Sequence, residues 1–292
     1  MKIKIKIKII IEYYFIILLF KLLSILPLNF VSFIGGIVFR TIGPLTKTNK
    51  IAKKNYIKIF PSANKKEINK QTALSWSNMG KTFFELSVLN KIIFSRNNKI
   101  NIEGKENIEK VINNKEQVIF IGIHESNWEI LLPTIDKIGL PVGGIYRHIN
   151  NPYINKLIIK LRNNCISSHK SFYTPKGQQS AKEVINAIKN NLSIVLLIDQ
   201  KDSAGEIVSF FNYPSKTQIG FIKLARKYNL KIIPIHNVRN KKNNFTLTFY
   251  PPLENISKGL SDIEVMEKIH SIIEKWIKDL PSNWFLQHNR FN

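Results

Sequence analysis

Residues 117–133 read QVIFIGIHESNWEILLP. The first seven form a short apolar run rich in β-branched residues, which reads as a buried strand. The three before Pro133, Ile130 to Leu132, are apolar again, and between the two runs stand His124-Glu-Ser-Asn-Trp-Glu129. Ser126 and Asn127 are both suitable helix N-caps, so the stretch reads as strand, turn, helix. This puts His124 at the strand exit and Glu129 in the first helical turn. On one continuous helix, residues five apart point roughly 140° from each other and their side chains do not meet. The turn lifts that restriction. The Glu129 carboxylate can then reach one imidazole nitrogen and fix the tautomer, while the other nitrogen accepts a hydroxyl proton. The N–H groups of the helix start add a place for an oxyanion or phosphate. A second reading fits the same residues: Ser126-Asn-Trp-Glu129 is an S-x-x-E capping box, which needs no chemistry to explain it.

Outward from this stretch, apolar runs recur at VGGIY (142–146), SIVLLI (193–198) and KIIPI (231–235), with helix-length segments between most of them. Strands alternating with helices imply an α/β fold, a mainly parallel sheet flanked by helices. Ligands of such sheets sit beyond the carboxyl ends of the strands. His124, Arg147, Asp199 and His236, each following one of these runs, are therefore expected at one edge. Upstream, Ile68, Leu74, Trp76, Met79, Phe83, Phe84, Leu86 and Leu89 have near-helical spacing, which predicts one or two amphipathic helices within 62–93. Downstream, DIEVMEKIHSIIEKWIKDL (262–280) puts Ile263, Met266, Ile269, Ile273, Trp276 and Ile277 on one face before Pro281 stops the helix.

The chain begins MKIKIKIK, a strand-like alternation, and runs into IIIEYYFIILLFKLLSIL from Ile9 to Leu26. About 18 apolar residues is the lower limit for crossing a membrane. Glu12 and Lys21 lie toward the ends, where a lysine can snorkel. The expectation is one N-terminal helix that spans or lies on the membrane, a break at Pro27, and then LNFVSFIGGIVF along its surface. Residues 1–40 form the anchor and interfacial segment, and 41–292 the catalytic domain. Lysines on both sides (Lys2, Lys4, Lys6, Lys8; Lys47, Lys50, Lys53, Lys54) leave orientation open. The formal net charge of +24 implies anionic partners: nucleic acid, an anionic membrane or phosphorylated substrates. No nucleic-acid motif accompanies it and the basic residues are dispersed, which speaks against nucleic acid. The single cysteine, Cys165, excludes an internal disulfide. No H-E-x-x-H, cysteine cluster or carboxylate-rich loop appears, so no metal site is expected.

Further blocks accompany His124 and Glu129 in order: IAKKNYIKIFP (51–61), YRHINNPYINKLIIKLR (146–162), DQKDSAGEIVSFFNYPSKT (199–217) and PSNWFLQHNRF (281–291). Together they resemble the late acyltransferases of lipid A biosynthesis, the lauroyl and myristoyl transferase family, which carries H-x4-E or H-x4-D. The resemblance implies a single N-terminal anchor in the bacterial inner membrane and a cytoplasm-facing catalytic domain of the glycerolipid acyltransferase type. It implies acyl carrier protein as donor and partner, an anionic, Kdo-bearing lipid A precursor as acceptor, and no cofactor. His124 would be the general base and Glu129 its partner. Arg162 would stabilise developing charge or hold a phosphate, and Asn127, Arg147, Asn151 and Asp199 would contact substrate. Departures from the pattern are Asn212 after Phe-Phe, where glycine is usual, and Gln287 and Asn289 around His288. Two alternatives stay open: a lysophosphatidate or phosphatidylinositol mannoside acceptor served by the same pair, and a membrane-tethered anion-binding protein without chemistry.

Overall fold

The computed structural model describes residues 2–254 and 259–291, with side chains from residue 7 onward. The side chains of Lys2, Lys4 and Lys6 thus lie outside the described residues. Five helices come first: α1 (Lys2–Ser24), α2 (Leu28–Ile42), α3 (Thr48–Ile59), α4 (Lys65–Glu85) and α5 (Leu89–Ile93). Strands and helices then alternate as β1 (Ile100–Glu103), α6 (Lys105–Asn113), β2 (Val118–Gly122), α7 (Leu131–Lys137), β3 (Val142–Tyr146), α8 (Pro152–Asn163), β4 (Phe172–Pro175), α9 (Gln178–Lys189) and β5 (Ser193–Leu197). A hairpin, β6 (Glu206–Phe210) and β7 (Tyr213–Thr217), precedes α10 (Gly220–Lys227), β8 (Lys231–Arg239), β9 (Phe245–Phe249) and α11 (Asp262–Asp279).

Seven strands form one sheet in the order β1-β9-β8-β2-β5-β3-β4. The pairs β1–β9, β8–β2, β2–β5, β5–β3 and β3–β4 are parallel, and β8–β9 is antiparallel. The four strands expected from apolar runs are the four contiguous central ones, because only strands covered on both faces are apolar at every position. The outer strands β1, β4 and β9 escaped the sequence reading. They are short or alternate, as in β1 (INIE) and β9 (FTLTF), whose residues are buried at every second position or only partly. In β2, Ile119 and Ile121 face one core with α9, α10 and α11, while Val118 and Phe120 face another with α5 to α8. The β6–β7 hairpin turns through Phe211 (φ 51°) and Asn212 (φ 62°). Asparagine is the residue after glycine best suited to that backbone, which accounts for Asn212 where glycine is usual.

At the N-terminus the MKIKIKIK alternation is helical from Lys2, not extended, because no partner strand is there to pair with it. Among the described residues, the helix long and apolar enough to cross a membrane is Leu28–Leu45 rather than Ile9–Leu26. Pro27 ends the first apolar run, and Lys8, Glu12 and Lys21 load α1 with charge. Both helices nevertheless expose apolar faces: Ile11, Tyr14, Phe15 and Leu18 on α1, and Phe30, Phe33 and Ile37 on α2. A contiguous apolar surface of this kind marks a membrane or protein contact. The inner side of α2 crosses α4 so closely that a Cβ on Gly80 would stand 2.1 Å from the Gly35 carbonyl oxygen. On α11, Met266, Ile269, Ile273, Trp276 and Ile277 are buried as expected, while Ile263 is exposed.

Candidate active site

The residue after β2 and its continuation Ile123 is His124, and the first after β5 and Ile198 is Asp199. Because β2 and β5 are parallel neighbours, both leave the sheet at the same edge. There the His124 Nδ1 lies 2.7 Å from Asp199 Oδ1, and the backbone N–H of His124 donates to the same oxygen at 3.1 Å. The other oxygen, Oδ2, accepts from the Trp284 indole at 2.8 Å. Burial raises the pKa of the Asp199 carboxyl, but the His124 ring, the indole and the amide outweigh it and hold the group below the usual carboxylate range. A carboxylate on Nδ1 fixes that nitrogen as donor and leaves Nε2 as the basic atom. Nε2 has no hydrogen-bond partner among the described residues, and the side chain is 18% exposed. Trp128 meets the imidazole edge-on at 5.4 Å and Phe285 packs at 6.3 Å, so the open nitrogen is framed by aromatic walls.

The expected partner was Glu129, and the geometry differs. Glu129 forms a two-point fork with Arg162, Oε2 accepting from Nε at 2.6 Å and Oε1 from Nη2 at 2.6 Å. The helix start does face α8, whose last turn carries Arg162, and a guanidinium matches a carboxylate at two points where an imidazole meets it at one. Arg162 is flanked by the rings of Tyr146 and Tyr173, at 5.7 and 5.6 Å. Burial disfavours its charge, but Glu129 more than offsets this and holds the guanidinium above its ordinary pKa. Its Nη1 has no partner among the described residues.

The turn between these groups is anchored from below. Ser126 adopts φ 49°, and its Oγ accepts from the Arg239 N–H at 3.0 Å, so the S-x-x-E capping box does not form. Asn127 is the cap instead, its Oδ1 accepting from the Glu129 N–H at 3.1 Å at the head of a short 3-10 turn, Trp128–Ile130, that leads into α7. The Asn127 Nδ2 donates to Glu85 at 2.7 Å. Glu85, fully buried, also accepts from Ser32 and from two nitrogens of Arg239. Asn78 and Thr82 donate to the Ser126 carbonyl. Asn127, expected as a substrate contact, is thus spent inside the protein.

Asn151 is spent likewise. It caps α8 through the N–H groups of Tyr153 and Ile154, and its amide donates to the Ile9 carbonyl at 2.8 Å and to Glu12 at 3.2 Å, tying α8 to α1. Arg147 is exposed at the end of β3 with no partner among the described residues. His236 lies inside β8, which continues past Pro234 alongside β9. It stacks on Trp276 at 4.7 Å and stands 3.3 Å from the buried Glu125. Cys165 is buried, and burial pushes its thiol up to about 12, which leaves it inert. Among the described residues no group of His, Cys, Asp and Glu is arranged to hold a metal.

Trp284, Glu85, Arg239 and His288 had no role assigned from sequence. His288 Nε2 accepts from the Lys201 N–H at 2.8 Å, pinning the loop that follows Asp199; burial lowers its pKa to about 4. The Asn55 amide donates to the carbonyls of Leu286 and His288, at 2.8 and 2.5 Å. Two of the sequence blocks quoted above, far apart in the chain, therefore meet behind the site.

The family model for bacterial lipid A biosynthesis acyltransferases matches residues 1–292. No curated protein sequence matches the chain. Among solved structures, the crystal structure of a 1-acyl-sn-glycerophosphate (LPA) acyltransferase from Thermotoga maritima is similar at a TM-score of 0.40 and 14% identity. The similarity covers 88% of this chain and 99% of that one.

Proposed function

The chain belongs to the bacterial lipid A biosynthesis acyltransferase family, and from that premise we propose that it transfers a fatty acyl chain from acyl carrier protein to a hydroxyl of a Kdo-bearing lipid A precursor. One observation carries this reading: an imidazole whose Nδ1 is occupied by Asp199 and whose Nε2 stands open at the sheet edge. His124 Nε2 takes the proton of the acceptor hydroxyl as its oxygen attacks the thioester carbonyl. The C–O bond forms and the carbonyl electrons move onto oxygen. When the intermediate collapses the C–S bond breaks, and the thiolate takes the proton from the imidazolium. The thioester already supplies the leaving group, so a base and oxyanion stabilisation suffice. Asp199 stabilises the imidazolium. Glu129 acts through Arg162, holding the guanidinium so that its remaining donors face developing charge or a phosphate.

Membrane attachment in this reading runs through the apolar faces of α1 and α2, at the inner membrane with the catalytic domain toward the cytoplasm. The net charge of +24 suits an acidic carrier protein and an anionic acceptor.

The test is acyl transfer by the purified full chain with labelled acyl carrier protein and either a Kdo-bearing lipid A precursor or lysophosphatidate. The first acceptor should be used, and His124→Ala should lower turnover about 10³-fold without unfolding the protein. Use of lysophosphatidate alone would overturn the acceptor assignment, and near wild-type turnover in His124→Ala would overturn the base.

A further inference from the structure

A groove of about 400 Å³ runs between the end of β3 and the outer side of α8. Tyr146, Asn155, Lys156, Lys160, Asn163 and Asn164 line it, with Ile159 as the one aliphatic side chain. We propose that this groove is a head-group subsite, separate from His124, that holds the anionic, hydroxylated head group of a membrane lipid.

The charge on α8 is one-sided. Its sequence, PYINKLIIKLRN, has no carboxylate. Lys156 and Lys160 stand one turn apart on the same face, both exposed, with no acidic partner among the described residues. Like charges at that spacing repel, and an anion between them relieves the repulsion. The asparagine amides of residues 163 and 164 add neutral donors beside the ammonium groups, and Tyr146 adds a phenol. Two cations, three amides and a phenol around a single aliphatic side chain, Ile159, suit phosphate or carboxylate groups on a sugar better than they suit an acyl chain or a planar base.

The position of the groove selects a lipid over a soluble anion. At its N-terminal end α8 is fastened to α1 by Asn151 and by contact between the rings of Tyr13 and Tyr153 at 5.5 Å. The outer side of α1 is the exposed apolar face. The 12 residues of α8 span only ~18 Å, so a head group in the groove keeps its chains within reach of that face. At the other end α8 carries Arg162, forked to Glu129 and packed on Tyr146. The groove therefore adjoins the reacting centre through Tyr146 without including His124. It rests on the reading of the acceptor as an anionic glycolipid.

Binding is measured with the catalytically silenced His124→Ala full chain, so that the result does not depend on acyl transfer. Three kinds of nanodisc are used: phosphatidylcholine alone, with phosphatidylglycerol, and with an acylated, bis-phosphorylated glucosamine disaccharide. The disaccharide lipid should bind most tightly. Adding Lys156→Ala and Lys160→Ala should weaken it about tenfold, equivalent to ~1.4 kcal/mol, and leave phosphatidylcholine binding unchanged. Arginine at both positions should restore it. Equal losses on all three discs would make the lysines general membrane contacts and overturn the proposal, as would an unchanged preference for the disaccharide lipid. Inorganic phosphate should compete only weakly. If phosphate alone saturates the lysines and the lipid adds nothing, the lipid assignment falls.

Discussion

Two buried arginine–glutamate pairs grip the same turn, and they are built for different ends. Glu85–Arg239 lies beneath it. Both carboxylate oxygens of Glu85 are taken, by Ser32, Asn127 and the guanidinium, and Arg239 reaches Asn78 and Thr82 as well. Glu129–Arg162 lies at the edge, with tyrosine rings on the guanidinium and Nη1 without a partner among the described residues. Asn127 joins the two, donating to Glu85 and accepting from the Glu129 amide. A saturated pair can only hold backbone, here a turn that forces Ser126 to positive φ. A pair with donors left over can present charge to something else. Burial and ion pairing look alike in both, so the unused valence is what separates support from function.

Breaking the lower pair should give the largest effect. Arg239→Ala strands the fully buried Glu85 and should cost ~3–5 kcal/mol of unfolding free energy in urea titration. A smaller cost would mean that Glu85 relaxes to water. The upper pair should answer in rate. Arg162→Lys keeps the charge but loses the fork, and turnover should fall about a hundredfold while unfolding shifts by no more than about 1–2 kcal/mol. Equal losses of stability in Arg162→Lys and Arg239→Lys would erase the distinction. Asn127→Ala cuts the link between the pairs, and about 2 kcal/mol of stability should go with it, from the lost cap and the lost hydrogen bond to the buried Glu85 carboxylate. Circular dichroism melts and transfer rates of that variant should fall together.

The smallest effect is acid sensitivity outside both pairs, at His288 and His270. His288 is held at about 4, against 6.5 when unfolded. Between those values the unfolded chain binds a proton that the folded one refuses, so its contribution is whole above pH 6.5 and declines as pH falls toward 4. His270, also lowered to about 4 by burial, adds to the same slope. His288→Gln should flatten the stability–pH curve over that window only in part, and an unchanged curve would show that His288 is already hydrated.

His124 and Asp199 were both legible as strand-end residues, because an apolar run followed at once by a polar side chain places that side chain at the sheet edge. Their pairing was not. Glu129 is five residues from His124 and Asp199 is 75 residues away, so the nearer carboxylate was the natural choice from sequence. The parallel pairing of β2 and β5 reversed it by setting the distant acid beside the imidazole and turning the near one toward α8. Trp284, Glu85 and Arg239 carry no local signal at all, since each acts only on residues brought close by folding.

Periodicity and composition alone determined the central parallel strands, α4, α11, the basic charge and the apolar N-terminus, because these depend on neighbours within a few residues. The tertiary structure alone decided which carboxylate faces His124 and which asparagines are spent as caps. Those outcomes depend on which hydrogen-bonding groups meet across the sheet and between helices, and no stretch of sequence contains both partners.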